Sequence, residues 1–151
     1  MLAISRQMLG VCAIGLAVLP SIPAAAFQLI TQSEAELPGA GSIRHERGIS
    51  RGPTISFVSP SPGTGTIKSP INIVIRFESH GGAAINANSV LLTYMKEPPI
   101  DLTQRIKPFI TPGGIDIEDA EVPPGTHWLR VEVTDSHGYP SQADLAFTVS
   151  Q

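Results

Sequence analysis

The chain almost lacks the residue that forms covalent cross-links, because its 151 residues include a single cysteine, Cys12. One cysteine cannot form an internal disulfide, and alone it cannot build a thiolate metal site. Charged residues make up only 15% of the chain, and its ten lysines and arginines are scattered. A nucleic-acid partner requires a concentrated basic surface, so the sequence predicts none.

Sequence that favours long helices is also scarce. The chain has 14 glycines and 14 prolines, and these residues recur throughout its second half. Both residues disfavour helix interiors. Beyond Thr54 we therefore expect no helix longer than about one turn, and the segment from Leu102 to Ile106 fits either a short edge strand or a turn of helix.

The first 26 residues have the pattern of a secretion signal. Arg6 is their only charged residue, an apolar run of 12 residues follows from Met8 to Leu19, and the segment closes with Ala24-Ala25-Ala26. This order is typical of a cleavable signal peptide. The run is shorter than the ~20 residues that span a bilayer. We therefore predict cleavage after Ala26, a periplasmic or secreted protein, and no stable membrane span, with an uncleaved anchor as the alternative.

Residues 27–53 read as a flexible leader. Their charges are scattered among small residues, and Pro38-Gly39-Ala40-Gly41 interrupts any helix. A segment with few large apolar residues buries too little surface to offset the entropy of ordering. The alternative is a segment that orders on a partner.

Residues 54–151 read as a single all-β domain. Apolar residues alternate with polar ones through Ile71–Phe77, Leu129–Val133 and Leu145–Val149, and turn signals separate these runs. Period-two alternation predicts strands with one buried face. About seven such strands in ~100 residues predict one immunoglobulin-like antiparallel β-sandwich. The predicted core consists of Ile73, Ile75, Phe77, Val90, Leu92, Leu129, Val131, Val133, Leu145 and Phe147.

Several segments carry a resemblance to a known group of domains, the bacterial immunoglobulin-like domains of exported proteins. Their opening pair of strands resembles Ser59-Pro60-Ser61-Pro62-Gly63 followed by Ser69–Phe77. Their closing hairpin resembles Val122–Val131 followed by Asp135-Ser136-His137-Gly138 and Phe147-Thr148-Val149. The resemblance covers about residues 54–150 and implies the sandwich fold. Such domains serve as spacers, adhesion units and ligand-binding units, so the resemblance does not select one function.

The resemblance extends distantly to small periplasmic copper-resistance carriers. These proteins hold copper through an N-terminal histidine with further His, Asp or Met ligands. Here the predicted mature chain begins at Phe27, and Met95 is its only methionine. The chain therefore lacks the N-terminal histidine that this ligand set requires.

Five residues form the candidate set for a metal site assembled by the fold. The donors are imidazoles, which suit copper, and the carboxylates of one strand, which suit a hard cation such as calcium. No spacing in the sequence matches a compact metal motif, and His45 lies apart in the leader. The five residues are His80, His127, His137, Asp116 and Glu118.

A second candidate site is a protein-binding patch of Trp128, Arg130 and Tyr139. Trp128 and Arg130 lie out of phase with Leu129 and therefore on the outer face of their strand. Exposed tryptophan with arginine is typical of a binding hot spot. This interpretation requires an exposed Trp128, since a tryptophan covered by its neighbours offers no surface.

The sequence shows no pattern of an enzyme, a cofactor or a phosphate site. It has no Gly-x-Ser-x-Gly elbow, and Gly63-Thr64-Gly65 precedes no helix. We therefore expect no cofactor and predict a non-enzymatic exported module that binds an unknown protein partner or serves a structural role. The alternative is a periplasmic carrier of copper or calcium, and a hydrolase assembled from distant residues is a third possibility.

Overall fold

A computed structural model describes residues 27–41 and 51–150 of the chain. The predicted signal, residues 42–50 of the predicted leader and His45 lie outside the described residues. Two four-residue helices, α1 (Gln32–Ala35) and α2 (Thr103–Ile106), and one 3-10 turn (Lys107–Phe109) occur in the described part. Its strands are β1 (Phe27–Gln28), β2 (Thr54–Ser59), β3 (Ile67–Lys68), β4 (Ile71–Glu78), β5 (Ile85–Tyr94), β6 (Ile100–Asp101), β7 (Ile110–Thr111), β8 (Gly114–Glu121), β9 (Gly125–Asp135) and β10 (Pro140–Ser150).

The strands form two sheets of five strands each, which face one another as a β-sandwich. The first sheet has the order β1-β8-β4-β2, with β7 also paired to β8, and the second has the order β3-β10-β9-β5-β6. The run β7-β8-β4-β2 opposite β5-β9-β10 is the D-E-B-A and C-F-G arrangement of an immunoglobulin-like sandwich. The predicted fold class is confirmed.

The sheets differ from the prediction in one respect, because they are mixed rather than purely antiparallel. The short strand β1 pairs parallel with the end of β8, and β3 pairs parallel with the end of β10. The β3 pairing arises because the chain leaves β2 at the first sheet and crosses to the second through the turn at Pro60–Gly65. Because the chain keeps its direction as it crosses, β3 runs in the same direction as β10 and pairs with it in parallel.

All ten residues of the predicted core are buried, with relative exposures between 0% and 7%. The alternation in the sequence is visible in the burial of β4, where Ile71, Ile73, Ile75 and Phe77 are buried and the residues between them are not. At ~25 cal/mol per Å² of apolar surface, side chains of this size each contribute about 2 kcal/mol when buried. About twice as many apolar residues are buried as the predicted core contains, since β8, α2 and residues 27–41 also contribute.

The first part of the predicted flexible leader is folded, which corrects that expectation. Residues 27–41, which we call the N-terminal segment, place Leu29 and Ile30 in the core with no exposed surface. Thr31 begins α1 with a capping box, in which its side chain accepts from the Glu34 N–H and Glu34 accepts from its backbone N–H. Two buried aliphatic side chains and a capped helical turn offset the cost of ordering that the sparse composition suggested was too high.

One glycine has a position that no other residue can occupy. Gly114 begins β8 with φ +141°, and a Cβ atom placed on it would lie 1.9 Å from the carbonyl oxygen of Ile75. The close approach lets β8 pair with β4 directly after the turn at Pro112.

Among residues 27–41 and 51–150, no helix is long and apolar enough to cross a membrane.

Candidate functional site

The solvent side of β10, β9 and β5, which we call the outer face, carries the residues that the sequence singled out on β9. The strands β10 and β9 are paired without interruption over ten residue pairs, and β5 pairs with the other edge of β9. Such a ladder holds its side chains in fixed positions, because each strand residue is fixed by its neighbours. The outer face consists of Leu91, Thr93, Trp128, Arg130, Glu132, Gln142, Asp144 and Ala146.

Trp128 is exposed, as the prediction of a binding patch requires. Its side chain has 38% relative exposure, and it lies directly across from Ala146 on β10. Its carbonyl oxygen accepts the N–H of Met95 at 2.9 Å, which fixes the backbone on the β5 side. A small residue on one side leaves the indole ring accessible, so the outer face presents a large apolar surface on a rigid strand.

Arg130 lies next on the same face and is held by Asp144. The guanidinium donates from Nε to Oδ1 at 2.7 Å and from Nη2 to Oδ2 at 3.0 Å. The two residues are directly opposite in the ladder, and their side chains are 22% and 10% exposed. The Asp144 carboxylate raises the pKa of Arg130. This two-point pair fixes the guanidinium as a flat polar surface beside Trp128.

Tyr139 does not belong to the same patch, although its side chain is 41% exposed. It precedes Pro140, which pairs with Thr134, six residues along β9 from Trp128. Six residues of strand span ~20 Å. Its ring instead meets His137 edge-on, with centroids 6.5 Å apart. The sequence could not place Tyr139, because the turn before β10 carries no periodic signal.

His127 is buried and has a structural role. Its ring contacts Tyr94 and Phe147, and Nδ1 lies 2.8 Å from the Tyr94 hydroxyl. Nε2 lies 2.8 Å from the carbonyl oxygen of Pro123. A carbonyl only accepts, so the proton is on Nε2 and the Tyr94 hydroxyl donates to Nδ1. Burial lowers the pKa of His127, with Lys96 contributing, so the ring is neutral at pH 7.

The other candidate metal ligands are dispersed. Asp116 and Glu118 lie on the solvent side of β8 in the first sheet, and Asp116 pairs with Arg76 at 3.2 Å. His80 follows β4 and lies near His137 in one small pocket, described below. Within residues 27–41 and 51–150, no three His, Cys, Asp or Glu side chains are grouped so that they could hold a metal ion. The structure therefore does not assemble the predicted set.

The pair of Thr54 and His80 resembles a nucleophile with its base, since the hydroxyl lies 2.7 Å from Nε2. Such a pair acts in catalysis when a third group orients the base. Thr54 provides the only hydrogen bond to the His80 ring among the described residues. The pair is exposed, and no carboxylate of residues 27–41 and 51–150 hydrogen-bonds the His80 ring, so the pair has the properties of a surface contact.

One apolar residue of the outer face was missed. Leu91 on β5 is 46% exposed and lies opposite Glu132. It lines a cleft of about 590 Å³ that extends to the beginning of β10. The signal was present in the sequence, because Leu91 lies between Val90 and Leu92, which face the core. Its phase assigns it to the outside, but a run of three apolar residues hides that alternation.

No family model, curated protein or solved structure matches this chain. The membership of the chain in the exported immunoglobulin-like domains therefore stays a prediction.

Proposed function

We propose that this chain is an exported, non-enzymatic module that binds a protein partner through the outer face. The observation that carries the proposal is the exposed Trp128 on a strand whose neighbours are fixed. Tryptophan offers a large contact area with few rotatable bonds, so binding through it loses little side-chain entropy. The second exposed apolar residue of the same face, Leu91, adds surface at the other end of it.

The arginine pair beside Trp128 supports the same function. Asp144 already orders the guanidinium of Arg130, so a partner would not have to do so. The opposite charges of Arg130 and Asp144 cancel. A partner would therefore meet hydrogen-bond donors and acceptors in fixed positions beside the apolar surface of Trp128. An apolar centre with a polar rim is the general composition of protein interfaces.

Export is supported by the sequence of residues 1–26, and the predicted cleavage site is compatible with the fold of the residues that follow it. The strand β1 begins at Phe27, which is the residue directly after the predicted cleavage site. Phe27 packs edge-on against Phe109, with ring centroids 5.0 Å apart. Cleavage after Ala26 would thus leave a domain whose first residue already has a place in the fold.

A photo-crosslinking experiment tests the proposal in cells that express the full chain. A benzophenone amino acid replaces Ala146, which faces Trp128, or Glu118, which is exposed on the first sheet as a control. We expect a protein adduct from position 146 alone, and we expect Trp128→Ala to remove it. Equal adducts from both positions, or an adduct that persists in W128A, would contradict the proposal.

Elemental analysis of the purified protein tests the alternative of a metal carrier. After dialysis we expect less than one copper or calcium per chain. Stoichiometric metal that is lost in His80→Asn or in Asp116→Asn would contradict the proposed function, because it would show that the dispersed donors assemble in solution.

A further inference from the structure

A small pocket lies where β9 ends and β10 begins, at the end of the sandwich remote from the N-terminal segment. Its volume is about 300 Å³. It contains side chains from three separate stretches of the chain, which the sequence gives no reason to group. The pocket is lined by Arg51, His80, Gly81, Asp135, His137 and Tyr139.

The side chains around this pocket are mostly hydrogen-bond donors. Arg51 brings a permanently charged guanidinium, His80 and His137 bring imidazole N–H groups, and Tyr139 brings a phenol. All four residues are exposed, so these groups are available to a ligand from solvent.

Asp135 is the only carboxylate among the described residues that line the pocket, and backbone amides donate hydrogen bonds to it. Its residue is 4% exposed, and its Oδ1 accepts the N–H groups of His137 and Tyr139, each at 2.9 Å. These bonds shape the turn before β10 and spread the negative charge over backbone dipoles. The carboxylate therefore acts as part of the turn, and the donors remain for a ligand.

His80 is held in place by Thr54, whose hydroxyl lies 2.7 Å from Nε2. A hydroxyl both donates and accepts, so it satisfies Nε2 whether or not that nitrogen carries a proton. When the Thr54 hydroxyl donates to Nε2, the neutral ring carries its proton on Nδ1, and this N–H can donate outward. The hydrogen bond from Thr54 thus positions the imidazole and leaves its Nδ1–H available to a ligand.

The pocket adjoins the larger cleft of about 590 Å³, since His80 lines both. Ile55 and Leu91 give this cleft apolar walls, and Glu132 and Gln142 give it polar ones. A ligand with one charged end and a short organic body fits this combination. The cleft runs along the outer face, yet the pocket itself does not involve Trp128.

We propose that this pocket binds an oxyanion, namely a carboxylate or phosphate group, and that the body attached to it lies in the cleft. The guanidinium of Arg51 attracts an anion and repels a metal cation, so the two histidines serve as donors rather than metal ligands. The site goes beyond the proposed function, because a ligand here needs no contact with Trp128.

An NMR titration tests this site with two simple probes. The ¹⁵N-labelled protein, purified after expression of the full chain, is titrated with sodium phosphate or with sodium acetate while sodium chloride keeps the ionic strength constant. We expect saturable shifts of the backbone amides of Gly81, His137 and Tyr139 with at least one probe. The probe that saturates at lower concentration identifies whether the site prefers phosphate or carboxylate.

The control is a second arginine that is exposed elsewhere. Arg51→Gln should weaken binding about tenfold, which corresponds to about 1.4 kcal/mol. Arg76→Gln, on the first sheet beside Asp116, should leave it unchanged. Dispersed spectra of both variants confirm folding. Absence of saturable shifts with both probes, equal effects of the two variants, or zinc binding that improves in R51Q would overturn the proposal and leave the proposed function of Trp128 intact.

Discussion

Glu34 and Arg105 are 71 positions apart and form a two-point ion pair that fixes the N-terminal segment to the sandwich. Nη2 lies 2.5 Å from Oε1 and Nη1 lies 2.8 Å from Oε2. The same guanidinium donates from Nη1 to the carbonyl oxygen of Leu29 at 2.9 Å. Lys96 provides a second attachment, donating to the carbonyl oxygens of Ala35 and Leu37. The segment is therefore held by two cations that bind its backbone.

Glu34→Gln should destabilise the protein by ~1–2 kcal/mol, since the ion pair is only partly exposed and also caps α1. The hydrogen bonds from Arg105 lower the pKa of Glu34 to about 2, from 4.5. The stability that this pair provides is therefore complete above pH 4.5 and is lost as the pH falls toward 2. Urea unfolding at pH 7 and pH 3 measures both effects. Glu36→Gln, at an exposed site one residue beyond α1, is the control, and an equal loss in both variants would refute the assignment.

His127 should make the protein less stable as the pH falls below about 6.5. Its pKa in the folded state is lowered by burial, so below 6.5 the unfolded chain binds more protons than the folded one. A second positive charge would also lie near Lys96, and the Tyr94 hydroxyl would lose its acceptor. The free energy of unfolding between pH 8 and pH 5 measures this, with a slope of at most ~1.4 kcal/mol per pH unit. His127→Phe should flatten the profile and His80→Asn should not. The same slope in H127F would show that another group is responsible.

Tyr94 should remain protonated to unusually high pH. It is fully buried, and desolvation raises its pKa to about 12. The chain has two tyrosines, so Tyr139→Phe isolates the absorbance of Tyr94. We expect its ionisation near pH 12, and we expect stability to decline as the pH rises above 10, where the unfolded chain releases the proton first. Ionisation of Tyr94 near pH 10 in folded protein would be inconsistent with a buried hydroxyl.

Trp128 and Leu129 are neighbours on β9 that face opposite sides, and their alanine variants should differ accordingly. Leu129 has no exposed surface, so Leu129→Ala should cost ~2–5 kcal/mol through the cavity it leaves. Trp128→Ala should change stability by about 1 kcal/mol or less. Thermal unfolding measures both. Because Trp128 is the only tryptophan, acrylamide quenching of its fluorescence reports its exposure directly. A larger stability loss in W128A than in L129A would mean that the register of β9 is shifted.

Gly114→Ala should prevent folding or cost more than ~3 kcal/mol, because the added Cβ meets the Ile75 carbonyl oxygen and the backbone has positive φ. Gly65→Ala is the matched control, since nothing lies within 4 Å of its added Cβ. Circular dichroism and urea unfolding compare the two. Near-native stability of G114A would exclude the close approach of β4 and β8.

The sequence predicted the parts of the fold that follow a strict period. Ile73, Ile75, Leu129 and Val131 alternate with polar residues, and a two-residue period allows only one burial pattern on a half-buried strand. Leu102 to Ile106 fitted a strand or a helical turn, and the structure forms α2 there. The sequence alone could not distinguish the two, because so short a run does not separate a two-residue period from a helical one.

The parts that were missed depend on contacts between distant positions. Leu29 and Ile30 form a short apolar pair that predicts no strand or helix by itself. Their segment is held on the sandwich by hydrogen bonds from the distant residues Lys96 and Arg105. The grouping of Arg51, His80 and His137 likewise arises from three separate loops. Local patterns report which face of an element is buried, but they contain no information about which loops meet.

The pairing of β1 with β8 imposes an order on the folding of this chain. Phe27 and Gln28 are synthesised well before their partners Ala120 and Glu121. Until then Leu29 and Ile30 have no core to enter, and closing so long a loop is slow. Leu29 and Ile30 therefore remain exposed to solvent until β8 has been synthesised and has joined the sandwich.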